Sequence, residues 1–171
     1  MGWLALLYAK LFGTDQGKGA IYDFTIKDIR GEDINFDRYR GRKLLIVNTA
    51  SKCGYTHQYA DLEKLHRMYP DSVTVLGFPS NNFMWQEPGT NEDIVAFCET
   101  NYQVTFKMFT KISVKGLSKH PLYQWLHSKT SKTPSWNFCK YLVSEDGNEV
   151  KFFNSKVNPL DPVIVTEILK G

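Results

Sequence analysis

Val47-Asn48-Thr49-Ala50-Ser51-Lys52-Cys53-Gly54-Tyr55-Thr56 is the stretch around which the chain is organised. The apolar run Leu44-Leu45-Ile46-Val47 leads into it, and an amphipathic segment, Leu62 to Tyr69, leads out. A continuous apolar run predicts a strand buried on both faces, where an alternating one would predict a half-exposed strand. Leu62, Leu65, His66 and Tyr69 recur at helical spacing. Cys53 therefore falls at a strand-to-helix junction, and the pattern predicts it at the start of the helix. A thiolate is favoured there, because the helix N-terminus attracts an anion. Lys52 adds a neighbouring positive charge, and Gly54 lets the backbone approach closely. The competing reading is an inert core thiol, since free cysteine is commonly buried.

Working outward, Pro70-Asp71 ends the helix and Val73 to Phe78 reads as a second buried strand. Strand, helix and strand make a βαβ unit, so these two strands should be parallel with a right-handed crossover. Upstream, Ile21 to Ile29 alternates as a strand does, with Arg30-Gly31-Glu32 as the turn before Ile34 to Phe36. Downstream, Thr90-Asn91-Glu92-Asp93 has the form of a capping box, opening a helix with Ile94, Phe97 and Cys98 on one face. Phe106 to Val114 is predicted as a third strand region and His120 to Lys129 as a helix with Leu122, Tyr123 and Leu126 as its stripe. Asp146-Gly147 between Phe138 to Val143 and Glu149 to Phe153 is a strong hairpin signal. Asp161-Pro162 starts a last helix carrying Val163, Ile164, Ile168 and Leu169. This order predicts an α/β domain: a central mixed β-sheet flanked by helices on both faces, as in a thioredoxin-like fold, with an N-terminal extension.

Bulk properties bound the function. A chain of 171 residues suits one domain. Lys plus Arg exceed Asp plus Glu by 21 − 18 = 3, with no basic cluster, which gives no footprint for nucleic acid. Three cysteines, Cys53, Cys98 and Cys139, make neither a disulfide scaffold nor a C-x-x-C pair, which argues against a zinc ribbon or a dithiol motif. Residues 1–19 form the extension and residues 20–171 the domain. Met1 to Gly13 reads as an amphipathic helix, with a membrane-surface anchor or trimmed export segment as the alternative. It lacks the marks of a signal peptide, so the expected compartment is the cytoplasm, with an exported or membrane-tethered form as the second choice.

Two further stretches bear on Cys53. Asn81 to Gly89 is a loop rich in amides after a strand, and strand C-terminal ends are where open α/β sheets place their sites. Trp136-Asn137-Phe138 supplies an indole N–H and an amide NH₂. Donors from Gln86, Trp136 and Asn137 converging on one sulfur would stabilise a thiolate without a metal. Taken singly, Trp136 also reads as a core aromatic, and Gln86 and Asn137 as ordinary loop residues.

Asn48-x-Ala50-Ser51-Lys52-Cys53-Gly54-Tyr55-Thr56, then Leu76-Gly77-Phe78-Pro79 with Gln86-Glu87-Pro88-Gly89, then Trp136-Asn137-Phe138-x-Lys140-Tyr141-Leu142-Val143 resemble the three signatures of the glutathione peroxidase family, in the family's order. The resemblance runs from about Ile21 to the C-terminus. It implies a thioredoxin fold and a thiol peroxidase, with Cys53 as the peroxidatic cysteine and Gln86, Trp136 and Asn137 completing a catalytic tetrad. It implies no bound cofactor and no metal; the co-substrate is a reductant, thioredoxin first and glutathione second. The implied substrates are hydrogen peroxide and organic or lipid hydroperoxides.

Cysteine members of the family commonly carry a second, resolving cysteine in the helix after Gln-Glu-Pro-Gly, and Cys98 is the candidate here. Its apolar face equally suits a core cysteine. Cys139 reads as structural. Ser80 replaces a frequent cysteine, Asn82 a glutamine, Met84 a glycine and Lys107 a proline. The segment from Lys115 to Ser135 is short where the family's tetramers carry a longer insertion, so the resemblance implies a monomer with an open site. His57, four residues past Cys53, is a weak Cys/His candidate without an orienting partner. His66, His120 and His127 show no metal-ligand spacing. A peroxide sensor that passes oxidation to a partner protein, and a binding module with an inert cysteine, are the alternative classes.

Overall fold

The computed structural model describes residues 19–171. The readings of Met1 to Gly13 as amphipathic helix or anchor, and of most of the polar linker after it, lie outside the described residues.

The centre is a five-stranded sheet of β3 (Leu44–Thr49), β4 (Thr74–Pro79), β5 (Lys107–Met108), β6 (Lys140–Val143) and β7 (Val150–Phe153), in the order β5-β4-β3-β6-β7. β3, β4 and β5 are parallel; β6 is antiparallel to β3, and β7 to β6. A separate hairpin pairs β1 (Thr25–Lys27) with β2 (Asp33–Asn35). The helices are α1 (Gln58–Met68), α2 (Asn91–Tyr102), α3 (Pro121–Thr130) and α4 (Pro162–Leu169).

Strand side chains alternate between faces, and the two cores follow that period. Leu44 and Ile46 of β3, Leu76 and Phe78 of β4, and Tyr141 and Val143 of β6 pack with Leu122, Tyr123, Trp125 and Leu126 of α3. Leu45 and Val47, Val75 and Leu142 pack on the other face, with Leu62 and Leu65 of α1, Ile94 and Cys98 of α2, and Ile164 and Ile168 of α4. All six residues of β3 are buried, as its continuous apolar run requires. Gly77 lets β4 and β5 close up: a Cβ there would meet Met108 Sδ at 2.5 Å. Gly147 takes φ +75° in the β6–β7 turn, the left-handed conformation that such a hairpin needs.

Three local expectations are corrected. Cys53 is not at the helix start, because α1 begins at Gln58. Thr56, Gln58, Tyr59 and Ala60 each bond back three residues, to Cys53, Tyr55, Thr56 and His57, so residues 53–57 form tight turns ahead of the α-helix. Ile21 to Ile29 is not one strand: Ile21–Asp23 is a 3₁₀ turn, fixed by Asp23 accepting the Ala20 N–H at 3.1 Å. Phe106 to Val114 yields only the two residues of β5. Its backbone donors divide between β4 and the β1 region, Phe109 N–H bonding Gly77 O and Thr110 N–H bonding Lys27 O. In α4, Ile164 and Ile168 are buried, whereas Val163 and Leu169 are about half exposed.

Leu45 lies wholly inside the second core. Leu45→Ala should cost about 3 kcal/mol through lost transfer energy and a residual cavity, read as a lower urea midpoint. A loss under about 1 kcal/mol would show that the neighbouring helices collapse into the space.

Candidate active site

Three distant parts of the chain meet at one edge of the sheet because the strand directions require it. β3 and β4 are parallel, so the loops after them leave from the same edge. β6 is antiparallel to β3, with Lys140 opposite Val47, so the residues just before β6 arrive at that edge as well. Cys53 follows β3, Gln86 follows β4, and Trp136 and Asn137 precede β6.

Asn48 clamps the last of these segments. Its carbonyl accepts the Phe138 N–H at 2.6 Å, and its side-chain amide donates to the Trp136 carbonyl at 2.9 Å. Asn137, held between these bonds and fully buried, donates from Nδ2 to Gln86 Oε1 at 2.9 Å. The Gln86 carbonyl in turn accepts the Lys52 N–H at 3.0 Å. Lys52, Gln86 and Asn137 thus form one connected set beside Cys53. Trp136 is half-buried, its ring 5.7 Å from that of Phe83, which is buried in the loop before Gln86.

Cys53 is half-buried, and the amide N–H of Tyr55 donates to its Sγ at 3.3 Å. Thr56 ties the loop: its Oγ1 accepts the Cys53 N–H at 2.9 Å and donates to the Ala50 carbonyl at 2.9 Å. Among the described residues, no hydrogen bond from the side chains of Gln86, Trp136 or Asn137 reaches the sulfur itself. His57 is exposed and bonds the Gly54 carbonyl rather than Cys53. Among the described residues, no group of three or more His, Cys, Asp or Glu is gathered as a metal ion would need.

Backbone strain is concentrated here. Met84 and Trp85 take φ +54° and +50°, and Phe138 takes +63°, a region that costs a non-glycine residue energy. Trp85 immediately precedes Gln86 and Phe138 immediately follows Asn137, so the strained residues flank the bonded pair. Phe138 is held by burial and by an edge-on contact with Tyr59 at 5.4 Å. Met84 and Trp85 are instead 70% and 75% exposed at the lip of the site.

A cleft of about 330 Å³, lined by Ser51, Lys52, Glu87, Gly89, Ile94 and Phe97, separates the Cys53 loop from α2. Glu87 is buried, which raises its carboxyl, with Ser51 pulling the other way. Cys98, on the buried face of α2, is only 2% exposed, and burial pushes its thiol up to about 11, the neighbouring Tyr59 hydroxyl opposing. Cys139 is fully buried, its Sγ 3.4 Å from Ser155 Oγ. Sequence reasoning did not anticipate Tyr55, Thr56 or Asn48 as organisers of the site. Tyr55 acts through its backbone, which no side-chain pattern reveals; a hydroxyl three residues after Cys53 was the available sign for Thr56.

The sheet order and flanking helices define a thioredoxin-like α/β protein, and they superpose on the crystal structure of "Trgpx in apo form" with a TM-score of 0.69, at 33% identity, over 90% of this chain and 97% of that one. A family model described as glutathione peroxidase matches residues 21–127. The glutathione peroxidase homolog BsaA of Halalkalibacterium halodurans is 46% identical over 146 residues, 82% of this chain and 93% of its own. The thioredoxin/glutathione peroxidase BtuE of Escherichia coli is 39% identical over 174 residues, 87% of this chain and 95% of its own. The chain belongs to the glutathione peroxidase family, and it is a peroxidase, an oxidoreductase with a peroxide as acceptor.

Trp85→Gly should raise stability by about 0.5–1 kcal/mol in urea melts, because glycine occupies positive φ freely and the exposed indole packs on little. A loss of stability instead would show that the indole braces the loop.

Proposed function

We propose that the protein is a thiol peroxidase in which the Cys53 thiolate attacks the terminal oxygen of hydrogen peroxide or of an organic or lipid hydroperoxide. The O–O bond breaks, Cys53 becomes a sulfenic acid, and water or an alcohol leaves. Gln86 and Asn137, which bond to each other rather than to the sulfur in the resting site, turn with Trp136 to donate to it when the peroxide binds and help deliver the proton to the leaving oxygen. The observation that carries this reading is the connected set of Asn137, Gln86 and Lys52, which gathers the chain's three motifs around an accessible cysteine. Cys53→Ser is expected to abolish peroxide consumption while leaving the fold intact; a variant that kept its rate would end the assignment.

In the second half of the cycle, Cys98 attacks the sulfenic acid, forming the Cys53–Cys98 disulfide and releasing water. A thioredoxin-like protein then reduces the bridge, with glutathione as the second choice. The similarity to BtuE, a thioredoxin/glutathione peroxidase, supports both reductants as candidates. Cys98 is buried and free in the fold, so in this cycle α2 opens to bring the two thiols to the close Cα spacing that a disulfide requires. A coupled assay with each reductant tests the choice, and mass mapping of peroxide-treated protein tests the bridge. An unbridged Cys98 would leave direct reduction of the sulfenic acid, or relay to a partner protein, as the surviving reading. The domain acts as a monomer, and no helix among the described residues is long and apolar enough to cross a membrane.

The buried thiol also gives a pH signature. Because folding raises Cys98 from 9.0 to about 11, its contribution to stability is fully present below pH 9 and is lost as pH climbs toward 11. Part of the fall in melting temperature over that window should therefore disappear in Cys98→Val. An unaltered alkaline slope would show that the thiol is already open to solvent.

A further inference from the structure

Lys140 is fully buried on β6, yet among the described residues no carboxylate bonds its ammonium. Its Nζ donates to three uncharged oxygens: Gln58 Oε1 at 2.6 Å, the Ser155 carbonyl at 3.4 Å and the Val157 carbonyl. Three donors meet three acceptors, so the cation is satisfied in its charged form. Burial pulls the other way, lowering Lys140 to about 7, with the neighbouring Cys139 opposing that shift. Leaving a cation in a dry interior is costly, and its retention calls for an explanation beyond packing.

The partner explains it. Gln58 is the first residue of α1 and is itself buried. Its Nε2 donates to the Ser155 carbonyl at 2.8 Å, closing a triangle with Lys140. Its backbone N–H donates to the Tyr55 carbonyl at 2.8 Å, and the Tyr55 N–H donates to Cys53 Sγ at 3.3 Å. A continuous chain of hydrogen bonds therefore runs from the buried ammonium to the sulfur. α1 does not extend back to Cys53, so the turns at 53–57 need their own anchors: Thr56 ties their front to Ala50, and Gln58 fastens their far end to Lys140 of β6.

We propose that Lys140 is a positioning residue for Cys53: through Gln58 it fixes the turn whose Tyr55 amide donates to the sulfur. The proposal rests on Cys53 being the reacting thiol and adds a group that touches neither substrate nor sulfur. A hydrogen-bond network in a low-dielectric site is worth more than its separate pairs, so loss of the cation loosens the whole turn. Lysine suits the task because its ammonium offers three donors on a flexible stem.

The test uses the full chain, with Lys140→Met and Gln58→Ala made singly and together. In each, the Tyr55 amide resonance should shift as its bond to sulfur is lost. Alkylation of Cys53 by iodoacetamide at fixed pH, read by mass mapping, should slow by about tenfold, and the double variant should slow no further than the worse single one, as links in one chain do. An unmoved Tyr55 resonance with an unchanged alkylation rate in either folded variant would overturn the proposal, as would additive losses in the double variant. If Lys140→Met does not fold, Gln58→Ala alone decides. Absent peroxide turnover in the unaltered protein would refute the proposed function while leaving the alkylation and resonance readouts to judge Lys140.

Discussion

The active-site edge depends on the seam between the end of β3 and the start of β6. Asn48 bonds the segment before β6 three times: its N–H donates to the Cys139 carbonyl, its carbonyl accepts from Phe138, and its side chain donates to the Trp136 carbonyl. These bonds carry the seam onward because the two strands run in opposite directions and their regular pairing ends at Val47 and Lys140. Beyond that point the chain from Trp136 to Phe138 would otherwise have no partner on this side. Asn137 inherits its place from this seam, Gln86 from Asn137, and the Lys52 amide from Gln86.

Such a seam fixes position at the expense of local comfort. Phe138 must turn through positive φ to send its N–H back to Asn48, and Trp85 must do the same to present Gln86. Residues in this region persist only when their surroundings over-determine them. For Phe138 the restraint is a wholly buried ring; for Trp85 it is the hydrogen bonding of Gln86, its neighbour, on two sides. The strain marks where the fold departs from regular geometry to bring side chains together, and it falls beside the pair that links the motifs.

Much of this was legible in the sequence, for physical reasons that differ by element. The continuous apolar run of β3 announced burial on both faces, the Thr90–Asp93 spacing announced the cap of α2, and Asp146-Gly147 announced the β6–β7 turn. The three family signatures located Cys53, Gln86, Trp136 and Asn137. What escaped was whatever depends on backbone donors or on convergence of distant segments. The start of α1 moved to Gln58 because tight turns, braced by the Thr56 hydroxyl, took the donors a helix would have used. Nothing in the sequence pattern marked Lys140 as buried; its burial follows from Gln58 and the Ser155–Val157 segment folding over it.

The same reasoning bears on how a buried Cys98 could serve the proposed cycle. α2 is well finished at its ends, with the Thr90–Asp93 box in front and Gln103 in the left-handed conformation behind, but of its own residues only Ile94 and Cys98 are buried. Phe97 and Tyr102 add half-buried ring contacts with Tyr59, yet burying one aliphatic side chain is worth about 1.5–3 kcal/mol, so releasing this helix costs less than unfolding the sheet beneath it. Local opening draws on the least anchored elements of a fold. Exposure also removes the desolvation that holds the thiol protonated. Undocking α2 would therefore do two things at once: bring Cys98 within reach of the oxidised sulfur and restore its ability to ionise. In the proposed cycle α2 would thus give up Ile94, Cys98 and the contacts of Phe97 and Tyr102 with Tyr59, while the fully buried β3 stays in place beneath it.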